Sequence, residues 1–460
     1  MLDTDLLTRI LGVALAKGGQ FAEIFVEEKY LNNVFCEDNK IEKIHNGIER
    51  GAGIRVVHAG KTSYVYTNDL TEAGLKKAAQ IAAHTNQEVD IAADGLSLHK
   101  RAPRIQLEFA QFPETVSLEE KVKRVNSANR AAREVSDLIR QVTLAIGDVH
   151  RKVQIANSAG DLIEDEMARL RLIVNCIAAR DGIIQTGYES TGAVAGWEFI
   201  DTVSFDEMAR RAAGRAVNML TARPAPAGRM AVVMSSEAGG TMVHEACGHG
   251  MEADLVQKGL SVYKNQLGQK VAGDNVTVID DGTIPGRYGS GAFDDEGTPR
   301  AETVLIDHGV LVNYMYDRLT ALKDGCMSTG NGRRESYQHK PVPRMTNTFI
   351  QSGTEDPAEI IAGTKYALLV KQMGGGQVNT TNGDFVFDVQ EGYIIENGKV
   401  KYPVRGATLT GNGPRVLKDI DRVGCDLGFA IGVCGKDGQG VPVGDAQPTI
   451  RIKELTVGGT

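Results

Sequence analysis

The feature that most constrains this chain is a pair of histidines five residues apart, His244 and His249, within Gly239-Gly240-Thr241-Met242-Val243-His244-Glu245-Ala246-Cys247-Gly248-His249-Gly250-Met251-Glu252. The stretch reads as a helix that begins just after a glycine pair. At about 100° per residue, side chains five apart diverge by about 140°, so a regular helix cannot turn both imidazoles toward one ion. The four-residue spacing of the usual H-E-x-x-H zinc helix leaves them only about 40° apart. One extra residue taken up as a π-bulge brings i and i+5 nearly into line, and such bulges favour functional sites. Gly248, which costs a helix about 1 kcal/mol relative to alanine, then has a purpose. Two readings stand on spacing alone. Either His244 and His249 bind zinc while Glu245 polarises the water beside it, or the two histidines cap and pack independently.

A hydrolytic zinc site wants a third protein ligand and an open position. The chain offers Cys434, Cys247, Cys326, Cys425, His308, His339 and Glu252. Cys247, between the histidines, reads as a small buried residue, as unpaired cysteine often is. Glu252 follows Glu245 by seven positions on the same helical face, as a ligand or as a residue that orients one. Cys434 sits in Gly432-Val433-Cys434-Gly435-Lys436-Asp437-Gly438, a glycine-punctuated turn after an apolar strand, where Lys436 would favour its thiolate.

With 460 residues the chain has room for two or three domains with proper cores. The net charge of -8, with no basic runs and no interleaved aromatic platforms, argues against a general nucleic-acid or anionic-membrane binder. The acidic start Met1-Leu2-Asp3-Thr4-Asp5 lacks a secretory n-region, and nothing approaches a membrane span. Six scattered cysteines suggest reduced thiols and a cytoplasmic address.

In chain order, Leu6, Leu7, Ile10, Leu11, Ala14 and Leu15 recur at helical spacing and predict an opening helix. Strands are expected at Ala22 to Glu28, Asn33 to Glu37, Lys40 to His45, Ala52 to Ala59 and Thr62 to Thr67, divided by turn signals at Asn46-Gly47 and Gly60-Lys61. Capping-box patterns at Asp69, Ser117 and Ser204 open helices running to about His84, Val135 and Thr221. Isolated His45, His58 and His84 read as structural or surface residues. Asp90 to Pro113 reads as a linker, strands return from Ile139 to Gly192, and Arg223-Pro224-Ala225-Pro226-Ala227-Gly228 is the sharpest boundary. The expected class is α+β: an N-terminal region over 1–222 with antiparallel sheet and helices and a sub-boundary near 90–113, then a β-rich barrel or sandwich over 228–460 with the histidine helix lying across it. Gly374-Gly375-Gly376 and Gly411-Asn412-Gly413 read either as turns or as places where an extended substrate meets backbone closely.

At this point the residues resemble the TldD/PmbA metalloproteases. The resemblance rests on His244-Glu245-Ala246-Cys247-Gly248-His249-Gly250-Met251-Glu252, Phe293-Asp294-Asp295-Glu296-Gly297 and Asn331-Gly332-Arg333-Arg334-Glu335-Ser336-Tyr337. It continues through Pro343-Arg344-Met345-Thr346-Asn347-Thr348, Arg405-Gly406-Ala407-Thr408-Leu409 and Cys434-Gly435-Lys436-Asp437-Gly438-Gln439, and it covers most of the chain. It implies a zinc peptidase with an HExxxH helix, in which His244 and His249 are metal ligands and Glu245 is the catalytic base. The third ligand it implies is Cys434, the cysteine of the late Cys-Gly-Lys turn; no separate cofactor-binding residues are implied. The intact motif is that of a TldD-type subunit. Such chains pair with a TldE/PmbA-type partner or with themselves, and act on unfolded or small peptides, in peptide-precursor processing and antitoxin turnover. The roles of Arg333, Arg344 and Lys436 stay unassigned. Two rivals share these ligands: a metal-dependent amidohydrolase acting on a non-peptide amide, and a non-catalytic subunit that uses the metal for structure.

Overall fold

The computed structural model describes residues 1–83 and 96–459. The expected helix end at His84 and linker start at Asp90 lie outside them.

The opening helix α1 (Thr4–Leu15) is capped by Asp3, whose carboxylate accepts from the N–H groups of Asp5 and Leu6. Strands β1 (Phe21–Glu37), β2 (Lys40–His58) and β3 (Lys61–Thr67) follow, then α2 (Glu72–Ala83). Thr71 rather than Asp69 caps α2: its Oγ1 accepts from Gly74 N, while Asp69 closes its own turn onto Thr71. Neither β1 nor β2 is divided as the turn signals suggested. Asn46 and Gly47 pair with Asn32 and Leu31 inside one antiparallel ladder, held by a β1 that has a long partner on each side. The real turns are Asp38-Asn39 and Ala59-Gly60, all at positive φ, as two-residue hairpins require.

The sheet continues past β1 through Ile139–Asn157, Asp161–Arg180 and Ile183–Ala193. The two strand-and-helix halves of the sequence therefore share one seven-stranded sheet, closed at its end by the short pair His99–Lys100. Strict alternation of buried Val142, Leu144 and Ile146 gives Ile139–Asn157 one apolar face. The helix α3 (Leu118–Arg133) and the helix Phe205–Met219 cover that face through Val125, Ala128, Met208 and Ala212, while α1 and α2 cover the β1–β3 end through Leu7, Leu11, Leu75 and Ala79. Ser117 and Ser204 do cap their helices, accepting from Glu120 N and Glu207 N. The glutamates of the two expected boxes turn instead to Arg124 and Arg210 one helical turn on.

The C-terminal part resolves the barrel-or-sandwich alternative. Gly228–Met234, Tyr366–Asn379, Asp384–Glu396, Thr408–Asn412 and Ile450–Gly458 close into a five-stranded barrel. Beside it lies a six-stranded mixed sheet that ends in the hairpin Gly428–Lys436 and Gln439–Gln447. Gly374 to Gly376 form no turn; they bulge within the strand Tyr366–Asn379, where the register against Asp384–Glu396 shifts.

The loops Phe293–Gly297 and Gly332–Tyr337 bind the two parts through buried charge. Arg55 pairs with Glu23 and Glu296, Arg334 with Glu23, and Arg151 with Glu27 and Asp295. Tyr64 Oη donates to Tyr337 O at 2.6 Å, and Gly53 leaves space there that a Cβ would fill. No described helix is long and apolar enough to cross a membrane.

Candidate metal centre

The histidine helix starts as an ordinary turn, Thr241–Val243, becomes a π-turn over His244–Gly248, and tightens to a 3-10 turn over His249–Met251. This is the distortion that the shared-ion reading of the five-residue spacing requires. Met242, Val243, Ala246 and Cys247 anchor it in the core with Met345, Phe387 and Val416. Two glycines let that packing close. A Cβ on Gly248 would lie 2.2 Å from Met345 Sδ, and one on Gly413 would lie 2.1 Å from Ala246 O. Gly413 thus opens the helix Gly413–Asp419 rather than forming a simple turn.

The π-turn brings the imidazoles of His244 and His249 edge to face, centroids 4.9 Å apart. Cys434 arrives from the other element, the strand Gly428–Lys436, three residues before the positive-φ Asp437-Gly438 turn. The thiol therefore sits in the strand and not in the turn. Its Sγ lies 3.5 Å from His249 Nε2, and ligand atoms of His244, His249 and Cys434 all fall within 4.8 Å of one another.

Each imidazole is aimed by a carboxylate. His244 Nδ1 is 2.7 Å from Asp445 Oδ1, and His249 Nδ1 is 3.2 Å from Glu252 Oε2. That leaves Nε2 of each ring for a metal, the usual arrangement in which an outer carboxylate fixes ring orientation and tautomer. Glu252 is thus a residue that orients. It also takes Lys436 Nζ at 3.1 Å, and Lys436 reaches Asp254 at 2.6 Å and Pro343 O at 2.9 Å. Arg344 is fully buried, donates to Cys434 O and stands 3.8 Å from Glu252.

The charges follow from these contacts. Burial alone would push the Cys434 thiol up, but His244 and His249 outweigh it and bring it down to about 5. Lys436, expected to do this, is engaged by Glu252 and Asp254 instead. Burial disfavours imidazolium, yet Glu252 and Cys434 raise His249 to about 9, and Asp445 and Cys434 raise His244 well above its usual value. Glu252 is brought down to about 2 against burial, chiefly by Lys436 and His249. Burial pushes Glu245 up, opposed by both histidines. The donor set is therefore two nitrogens and a thiolate on one point, which suits a divalent ion of the zinc type.

The other thiols and histidines considered as ligands stand elsewhere. Cys247 is buried, donates to Val243 O at 3.2 Å, and burial pushes its thiol up to about 12. Cys326 and Cys425 are exposed, His308 faces solvent, and His339 pairs with Ser336. Sequence reasoning missed Asp445 and Asp254 and left Arg344 without a role; only the hairpin register brings Asp445 to His244, across 201 positions, and no local signal announces it.

His244, Glu245, His249 and Cys434 open on a groove of about 540 Å³. One wall is the strand Gly428–Lys436, whose outer edge has no partner strand among the described residues. The other includes Gly374, Gly375 and Gly376.

A distorted histidine helix and a strand-borne thiolate meet beside the Glu245 carboxylate, on an α+β frame with a closed barrel, as a group that could hold a metal ion. Family models agree along the sequence: the PmbA/TldA metallopeptidase domain 1 matches residues 22–85, the central domain 112–220 and the C-terminal domain 227–459. The chain belongs to the TldD/PmbA metallopeptidase family. It is 35% identical to a Haemophilus influenzae metalloprotease TldD homologue, covering 100% of this chain and 97% of that one. A Saccharolobus solfataricus zinc metalloprotease TldD homologue is 28% identical over 96% of this chain and 97% of its own. Among solved structures, TldE from Thermococcus kodakarensis superposes with a TM-score of 0.78 at 18% identity, covering 99% of this chain and 100% of that one. A Thermotoga maritima protein described as a modulator of DNA gyrase gives 0.81 at 23% identity, covering 99% of each.

Proposed function

We propose that this chain is a zinc peptidase of low sequence specificity that hydrolyses unfolded or small peptides, with His244, His249 and Cys434 as metal ligands and Glu245 as general base. The observation that carries the reading is the convergence of the three ligand atoms within 4.8 Å of one another beside Glu245, at the groove. When bound, the zinc ion supplies Lewis acidity that polarises a scissile carbonyl and acidifies water. The Glu245 carboxylate accepts a proton from the attacking water and returns it to the leaving amine nitrogen. Asp445 and Glu252 hold the imidazoles in register throughout, and Lys436 keeps Glu252 ionised.

Selection for extended chains follows from the unpaired edge of Gly428–Lys436. A peptide added there as a strand is read by its main chain, which tolerates varied side chains. The glycines opposite leave its backbone room, Gly375 having nothing within 4 Å of an added Cβ. A TldE-type partner or a second copy completes the assembly, a pairing supported by the TldE-like fold and the TldD-named relatives. Product profiling with one protein offered native and denatured tests the reading. Only the denatured form is expected to be cut, and equal cleavage of the compact form contradicts it. A non-peptide amidase would leave a random peptide mixture whole.

A further inference from the structure

A second cavity, about 170 Å³, lies where the strands Ile139–Asn157 and Asp161–Arg180 meet the loops that follow Gly291 and Gly332. Arg169, Arg300 and Arg333 line it, and among the described residues none of them makes a hydrogen bond or close ion pair to a carboxylate, although Asp295 lies near enough to attract all three. Arg169 donates to Tyr288 O at 3.0 Å and to Met167 Sδ at 3.6 Å. Arg300 donates to Phe293 O at 3.1 Å and Gly330 O at 2.8 Å. Arg333 donates to Pro442 O at 2.7 Å and to Met345 O. All six acceptors are neutral.

The acids nearby are committed elsewhere. Asp294 accepts from the N–H groups of Glu296, Thr298 and Gly332, and Asp295 from Arg151 and Arg334 N. Asp165 also lines the cavity; burial raises it to about 6 against the pull of Arg151 and Arg300, and it forms no close ion pair with any of the three arginines. Meanwhile Arg333, only 4% exposed, keeps its Nε without any partner. Burial, reinforced by Arg300, lowers Arg333 well below its usual range, and burial with Arg151 and Arg300 lowers Arg169 to about 10. A guanidinium does not shed its proton to relieve such crowding; it takes an anion.

We propose that this cavity binds a tetrahedral oxyanion, either free phosphate or the phosphate group of a small monoester, through Arg169, Arg300 and Arg333. Planar guanidinium forks match phosphate oxygens in pairs, and the volume far exceeds the ~10–15 Å³ that one water needs. The cavity also touches Gly440 and Pro442, which flank Val441, the ladder partner of Cys434. A bound anion would tie the N-terminal sheet to the strand behind the thiolate.

Equilibrium dialysis of the full chain against radiolabelled inorganic phosphate at pH 8, with chloride holding ionic strength constant, tests this. Saturable binding is expected, weakened about tenfold or more by Arg169→Gln, since one charged hydrogen bond is lost. Asp165→Asn removes the opposing charge and is expected to tighten binding several-fold, so it decides the matter should Arg169→Gln fail to fold. Cys434→Ala is expected to leave phosphate binding intact, which separates this cavity from an anion held at the metal. Competition by glycerol phosphate assigns the site to a monoester, and lack of competition assigns it to the free ion. Absence of saturable binding, binding unmoved by both cavity variants, or binding lost in Cys434→Ala overturns the proposal.

Discussion

Asp445 holds His244 by a 2.7 Å hydrogen bond to Nδ1, reaching from the neighbouring sheet into the histidine helix. The imidazole cannot rotate without breaking it, so Nε2 is the nitrogen left for a metal. Removing such an outer carboxylate usually costs 10- to 100-fold in metal affinity. Asp445→Ala is expected to lose affinity on that order, with a fold that survives. Competition against a chelator of known affinity, alongside circular dichroism, checks both halves.

Gly248 carries a packing role as well as a conformational one. A methyl group there meets the buried Met345 Sδ at 2.2 Å, so the thioether has to shift. Gly248→Ala is therefore expected to destabilise by about 1–3 kcal/mol, the usual range for overpacking. Urea unfolding gives the value. Met345→Ala in the same chain should recover part of the loss, making the pair less than additive.

Acid should open the contact between the N-terminal sheet and the C-terminal part. Burial would raise Asp295, but Arg151 and the N–H of Arg334 hold it down at about 2. Its folded pKa lies below its unfolded value of about 3.9, so the unfolded state binds more protons between them. The stabilisation is present above about pH 4 and is lost as pH falls toward 2, on the order of 2 kcal/mol for a shift of this size. Urea midpoints across that window are expected to fall, and Asp295→Asn to flatten the fall.

Lys436 neutralises two buried carboxylates, Glu252 and Asp254. Lys436→Met leaves Glu252 only the more distant Arg344 and Asp254 only the largely exposed Lys258, and removing one partner of a buried ion pair typically costs about 3–5 kcal/mol. His249 then faces a carboxylate no longer held in position, so metal affinity is expected to drop together with thermal stability. Parallel melting curves with and without added zinc measure the two effects.

How much of this was legible depended on whether the information was local. The π-turn followed from five-residue spacing plus helix geometry, and the Asp437-Gly438 turn from its own residue types. Asn46-Gly47 misled because turn propensity yields to the long, continuous ladder with β1 in which both residues pair. Spacing alone could not choose Cys434 among seven candidates; family resemblance implied it, and strand register carries it to His249. The Asp445 contact and the Lys436 pairings depend on strand register and loop packing, which sequence periodicity does not encode.

The central claim is that His244, His249 and Cys434 share one ion and that Glu245 works the proton beside it. Metal analysis with parallel peptide cleavage, on wild type, Cys434→Ala and Glu245→Gln, tests it most directly. Wild type is expected to hold zinc and cleave, Cys434→Ala to lose both, and Glu245→Gln to hold zinc without cleaving. Cleavage at the wild-type rate by Glu245→Gln, or undiminished metal in Cys434→Ala, would contradict it.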